Sequence, residues 1–221
     1  LDKLRFRLPD RSGLPDVSEY GKLRALDGTD IVSGYTEASR GCKHRCRHCP
    51  VVPVYDGAFR IVQRDIVLED IAQQVAAGAR HVTFGDPDFF NGPAHGMAVV
   101  RALHERFPEL TYDVTIKVEH LLRHRVFLAE LTYTGCLFVT TAVEALDDHS
   151  LEILDKGHTR ADFIEAIELA RQAGLTLSPT FVTFAPWTTL DSYVALLEDI
   201  VAFDLVGHVS PVQLAIRLLI P

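Results

Sequence analysis

Cys42-Lys43-His44-Arg45-Cys46-Arg47-His48-Cys49, followed by Pro50, is the stretch on which the reading of this chain turns. Three of the chain's four cysteines fall within it, spaced C-x3-C-x2-C. Thiolates are soft ligands, and three on one short loop suit a zinc ion or an iron–sulfur cluster better than a disulfide. Iron–sulfur clusters usually take four cysteines, so three leave one metal site without a thiolate and open to chemistry. A structural zinc knot completed by His44 or His48 is the alternative. Such sites usually pair two short chelating turns across an intervening segment, whereas here all three thiols share one loop.

Working outward, the flanking sequence alternates strands and helices. A short strand, Ile31–Thr36, feeds the cysteine loop. Beyond it, Asp65 is placed to cap a helix with Val67, Ile71 and Val75 on one face and Gly78 as its stop. The apolar strand His81–Phe84 ends in Gly85-Asp86-Pro87-Asp88, and a helix follows from Pro93 to Phe107. Tyr112–Val118 alternates cleanly, and Glu119–Leu131 reads as helix. Strand Cys136–Ala142 comes next, then a helix capped by Thr159 with the stripe Phe163, Ile167 and Ala170, closed by Gly174. Strand Thr176–Phe184, helix Leu190–Phe203 and strand His208–Ile216 complete the pattern.

Six strands joined by short helical crossovers make an α/β fold with a parallel sheet. Strands covered by helices on both faces read as continuous apolar runs. Here Val114, Ile116, Leu137, Val139, Val212 and Leu214 line one face, while Lys117, Thr140, Glu144, Gln213 and Arg217 mark the other. That predicts a partial (β/α)6 barrel with a wet lumen, spanning residues 30–221 behind an irregular leader at 1–29. In parallel barrels the chemistry sits where the strands end. The cysteine loop, Asp86, Lys117, Glu144 and Trp187 all converge on that rim. Cys136 begins its strand and belongs near the opposite rim, as a small buried residue.

The 221 residues, 48% of them hydrophobic, suffice for one core. A formal charge of −8 argues against general nucleic-acid binding. The first residues carry Lys3, Arg5, Arg7 and Arg11 rather than a secretory leader, and no apolar run spans a bilayer. Clustered cysteines in that setting point to a reducing cytoplasm. The start at Leu1 and the stop at Pro221 read as a piece of a longer protein, with the remainder helping to close the barrel.

With these residues in view, the chain resembles the radical S-adenosylmethionine (SAM) enzymes. Cys42–Cys46–Cys49 matches that superfamily's signature, and Thr140–Glu144, Leu154–His158 and Ala173-Gly174-Leu175 are similar to its fourth-strand region. More narrowly, Arg40–Val54, Val82–Gly92, Thr115–His124 and Gln213–Pro221 look like the radical SAM proteins named for a CUAEP or CCAEP tail. The resemblance implies a [4Fe–4S] cluster on the three thiolates, with SAM's amino and carboxylate groups on its fourth iron. Reduction by an electron donor such as flavodoxin or ferredoxin would yield a 5′-deoxyadenosyl radical that attacks an unknown substrate. It implies that His48 packs near adenine, that Gly85, Asp86 and Pro87 stand where a Gly-Gly-Glu type motif receives the SAM amino group, and that Glu144 contacts SAM. Asp86 is shorter than the usual Glu, and Phe184-Ala185-Pro186-Trp187 replaces a more usual glycine-rich turn. Lys117 or Arg217 could serve the SAM carboxylate, and Thr140 lies in the fourth-strand region. His120 and His124 have chelating i, i+4 spacing, but a solvated helix face is the better reading. Phe89, Phe90 and Asn91 read equally as substrate contacts or as a packed loop.

Overall fold

A computed structural model describes residues 4–25 and 27–215. Its six-stranded sheet has the order β1 (Lys22–Arg24), β2 (Asp30–Thr36), β5 (His81–Phe84), β6 (Thr111–Thr115), β7 (Cys136–Glu144) and β8 (Thr176–Phe181). From β2 to β8 every pairing is parallel, and the sheet curls into a half-barrel. Helices α2 (Arg64–Ala76), α3 (Pro93–Arg106), α4 (Val118–Arg123), α5 (Leu128–Tyr133), α6 (Asp148–Ile153), α7 (Arg160–Gln172) and α8 (Leu190–Ala202) connect the strands.

The alternation read from sequence sets the two faces. Val82 and Phe84 of β5, Tyr112 and Val114 of β6, and Val139 and Val143 of β7 are fully buried beneath Val67 and Ile71 of α2, Met97 and Leu103 of α3, and Phe163 and Ala166 of α7. Each large apolar side chain so buried contributes about 1.5–3 kcal/mol. The concave face is polar, with Asp113 and Thr115 in register with Phe138 and Thr140, and Thr140 in register with Ser178. Helix α7 starts on a capping box between Thr159 and Asp162, as the sequence suggests.

Several expectations change. The leader is not wholly irregular: Lys22–Arg24 forms β1, antiparallel to β2. Its turn, Asp27-Gly28-Thr29, closes with Gly28 at φ +86° and the Asp27 carboxylate accepting from the Thr29 N–H. The sheet therefore draws its sixth strand from that edge. At the other edge, Pro211–Leu214 is a 3-10 turn, because Pro211 has no N–H to give to a ladder, and residues 216–221, Arg217 among them, lie outside the described residues. Gln63, not Asp65, occupies the N-cap of α2, and Asp65 sits in its first turn, where a carboxylate favours the helix dipole. The helix expected over Glu119–Leu131 is broken into α4, a 3-10 turn at Arg125–Phe127, and α5.

Two features fix the cysteine loop. A ribbon of β3 (Ser39–Gly41) paired with β4 (Phe59–Ile61) clasps its base, with the short helix α1 (Val51–Tyr55) between loop and β4. Gly41 turns into the loop at φ +81°, and a Cβ there would lie 2.2 Å from the Ala58 carbonyl oxygen. No other residue fits that turn without displacing the ribbon.

Candidate active site

The cysteine loop leaves the C-terminal end of β2, at the mouth of the half-barrel. Cys42 and Cys46 are buried, Cys49 is half-buried, and all three are free thiols. Asn91, after β5, brings its Oδ1 to 3.8 Å from Cys42 Sγ and accepts from the Lys43 N–H at 3.1 Å. The Lys117 ammonium, at the end of β6, lies 3.8 Å from Cys46 Sγ and is itself buried. The buried ammonium offsets negative charge beside Cys46, while burial pushes the Cys42 thiol up. Cys136 is buried at the first residue of β7, where burial pushes its thiol up, and its Sγ donates to the Phe138 carbonyl. It is no fourth ligand. Three reduced sulfurs on one loop, with a cation beside them, fit an iron–sulfur cluster that keeps one iron open.

The structure brings His48 and Glu144 together from 96 residues apart in sequence, with His48 Nε2 3.2 Å from Glu144 Oε1. Lys156 Nζ stands 3.3 Å from the same oxygen. Burial raises the Glu144 carboxyl, but the hydrogen bond from His48 and the charge of Lys156 outweigh it and hold the group below its usual value. Glu144 reaches this position through a left-handed backbone, φ 72°, where the β7–β8 register shifts. Thr140 is on the same side of β7, two pleat repeats before Glu144. His48 is thus turned to Glu144, and His44 faces His120 and Asp88, which leaves neither histidine committed to the sulfurs of a zinc knot.

Asp86 faces another way. Its carboxylate accepts from the Ala38 N–H at 2.9 Å and from the Ser39 hydroxyl, so both oxygens hold the strand that enters the cysteine loop. Burial pushes its carboxyl up to about 6. Gly85 lies under the Tyr35 ring, and a Cβ there would lie 1.7 Å from the Tyr35 hydroxyl, so this ring would have to swing away. Pro87 is half-buried between Asp86 and Asp88. Phe89, Phe90 and Asn91 are all buried, so the packed-loop reading holds. Trp187 donates to the Ser150 hydroxyl at 2.8 Å and wedges the turn after β8.

Three residues have surroundings that the sequence does not give. Asn91, read as a substrate contact or loop packing, meets Cys42 across 49 positions, a contact that nothing local marks. His158 is buried near Lys156 and Lys117, and burial together with those cations holds it down at about 4. Neither of its ring nitrogens has a hydrogen-bond partner among the described residues. His120, read as solvated, is buried. A cavity of about 690 Å³ lies lower on the concave face, against Ser33, Tyr35, Thr83, Asp113 and Phe138 and under the leader.

Comparison with known proteins agrees with this architecture. The chain is 25% identical over 186 residues to the hopanoid C-3 methylase of Methylococcus capsulatus, covering 84% of this chain and 35% of that protein. It is 26% identical over 200 residues to the tRNA-2-methylthio-N(6)-dimethylallyladenosine synthase of Chlorobium phaeobacteroides, covering 86% and 44%. The chain thus spans less than half the length of either relative. Among solved structures, the cobalamin- and [4Fe-4S]-bound radical S-adenosylmethionine methyltransferase TsrM from Kitasatospora setae superposes with a TM-score of 0.67 at 20% identity, over 77% of this chain and 32% of that one, a likeness of fold. Residues 36–200 match the Radical SAM superfamily, a stretch that takes in the cysteine loop and every strand from β5 to β8. On that match the chain belongs to the Radical SAM superfamily, whose members are enzymes that use a [4Fe–4S] cluster and SAM.

Proposed function

We propose that this chain is the cluster- and SAM-binding core of a radical SAM enzyme, with Cys42, Cys46 and Cys49 as the cluster ligands. The observation that carries the reading is the placement of three free thiols on one loop at the mouth of a half-barrel, with Lys117 beside Cys46 and the His48–Glu144 pair on the same rim. When bound, the reduced cluster and SAM supply a 5′-deoxyadenosyl radical for hydrogen abstraction.

The chain's own residues prepare that chemistry. Lys117 offsets the negative charge of the sulfurs. Glu144, kept ionised by His48 and Lys156, offers an acceptor for the SAM ammonium. His48 lines the adenine side, and Thr140 lines the lumen beneath. Asp86 serves the site by anchoring Ala38 and Ser39 rather than by touching SAM, while Gly85 and Pro87 shape the adjoining turn. His158, neutral and unpartnered toward Lys117, is a further contact for a bound ligand. The concave cavity, walled largely by apolar groups with Asp113 and Thr83 among them, receives the substrate.

The loop's exposed Arg40, Lys43, Arg45 and Arg47 surround the buried sulfurs and suit docking of an acidic one-electron donor, such as flavodoxin or ferredoxin. The stretches Arg40–Val54 and Val82–Gly92 support placing the chain with the CUAEP or CCAEP-tail group. A cytoplasmic setting fits the reduced sulfurs.

Anaerobic reconstitution tests the reading. About four irons and four sulfides per chain are expected, with SAM converted to 5′-deoxyadenosine on reduction. Replacing any of the three cysteines by Ala should abolish the product, whereas Cys136→Ala should retain it. Zinc in place of iron, or turnover surviving loss of Cys46, would refute it.

A further inference from the structure

A second constellation of ligand atoms stands next to the cysteine loop. His44 comes from the loop itself, Asp88 from the turn after β5, and His120 from α4. Asp88 Oδ2 lies 2.7 Å from His120 Nδ1 and 3.8 Å from His44 Nε2. The two Nε2 atoms are 3.3 Å apart. One ligand atom from each residue can be chosen so that all lie within 4.8 Å of one another.

Burial makes this arrangement costly unless something joins it. Asp88 is 0% exposed and His120 5%. Asp88 Oδ1 is occupied, accepting from the Phe90 N–H at 3.2 Å. Asp88 Oδ2 and His120 Nδ1 have no hydrogen-bond partner among the described residues, although they are close to each other. Their contact is short but misaligned, so the imidazole N–H does not point along it. A fully buried carboxylate oxygen without a donor costs several kcal/mol unless a cation satisfies it. Two ligand atoms bound to one ion at about 2.0–2.1 Å stand roughly 3.0–3.4 Å apart. An ion would take one nitrogen of His120, either Nδ1 beside Asp88 or Nε2 beside His44, and the three ligand atoms lie within 4.8 Å of one another, close enough for a small side-chain closure to complete the site.

We propose that His44, Asp88 and His120 form a divalent-metal site distinct from the cysteine site. Two imidazoles and one carboxylate select a borderline first-row cation, zinc or ferrous iron, over calcium or magnesium. The His44 side chain keeps 20% exposure, which leaves an entry path and room for water as a remaining ligand. Glu119 Oε2 lies 3.8 Å from His44 Nδ1, on the far side of the ring, where an acidic partner orients a ligating histidine. Phe90 and Phe127 pack around His124 and wall the site on its other flank. An ion here ties the segment between Cys42 and Cys46 to the β5 turn and to α4. Its role is to clamp the loop that carries the sulfurs, and the site stands whether or not those sulfurs hold a cluster.

Metal counting on the anaerobically reconstituted protein tests this, with zinc and ferrous iron as separate probes. One equivalent is expected beyond the cluster's iron, either a zinc or a fifth iron. Asp88→Asn and His120→Ala should lose that equivalent and keep about four irons. His44→Ala removes a partly exposed ring and serves as the variant least disturbing to folding. Because thiolates also bind zinc, the same titration is run on a variant with Cys42, Cys46 and Cys49 all replaced by Ala. That protein should still take up one zinc, and adding His44→Ala should remove it. No extra equivalent in the wild-type protein, or an equivalent that survives both His44→Ala and His120→Ala, would overturn the site while leaving the cluster reading untouched.

Discussion

Asp86 makes the dependence of the cysteine loop on a buried charge measurable. Its folded carboxyl sits at about 6 against an ordinary value of 3.8, because burial outweighs the hydrogen bonds from Ser39 and Ala38. The protonated form is therefore preferred by the folded state more than by the unfolded one. Stability from this source is complete below pH about 3.8 and is lost as pH rises through about 6. A shift of about two units corresponds to roughly 3 kcal/mol over the whole window, and roughly 2 kcal/mol of it falls between pH 4.5 and 7. Asp86→Asn has no proton to lose. Denaturant unfolding of both proteins from pH 4.5 to 8 should show the wild-type curve falling relative to the variant by about that amount, then running parallel above pH about 7. Parallel curves across the whole range would refute the reasoning, since they would mean that Asp86 ionises in the fold as freely as in the unfolded chain.

Further outcomes follow from the same geometry. Gly41→Ala places a side chain in the left-handed region and against Ala58, costing at least about 1–2 kcal/mol. It should lower the melting temperature by roughly 2–8 °C and reduce iron retained per chain, both read on the reconstituted protein. Glu144→Gly relaxes the backbone at φ 72° but removes the carboxylate. SAM affinity by equilibrium dialysis should fall about tenfold, near 1.4 kcal/mol, and stability should fall too, because the buried Lys156 loses its carboxylate partner. Lys117→Met removes a cation 3.8 Å from Cys46 Sγ. The cluster's midpoint potential should move to a more negative value in spectroelectrochemical titration, because the added electron loses a nearby positive charge.

Much of this was written in local pattern. Val114 and Ile116 against Thr115 and Lys117 announced which face of β6 is wet. Thr159 announced the start of α7, and Gly174, at φ +66°, its end. The three cysteines declared their own loop. What the local pattern missed rests on tertiary contact or on turns that outweigh periodicity. The signal for β1 was present in Asp27-Gly28, a hairpin turn lost among the charges of the leader. His208–Ile216 alternates like a strand, yet Pro211 forbids the ladder there. His120 sits at helical spacing from His124, which spoke for a solvated face. Only the fold brings Asp88 and His44 to it and buries it. Position alone suggested a ligand contact for Asp86, and it did not show that this carboxylate also accepts from Ala38 and Ser39.

The central claim is that three sulfurs leave one iron open to SAM at the mouth of this half-barrel. Electron paramagnetic resonance of the dithionite-reduced protein, recorded with and without SAM, tests it most directly. The account expects a reduced-cluster signal whose g-values and line shape change on adding SAM, because the ligand enters the coordination sphere of one iron. It expects no such signal once Cys42, Cys46 or Cys49 is replaced. A cluster signal indifferent to saturating SAM, or a protein that stays silent while holding zinc, would contradict it.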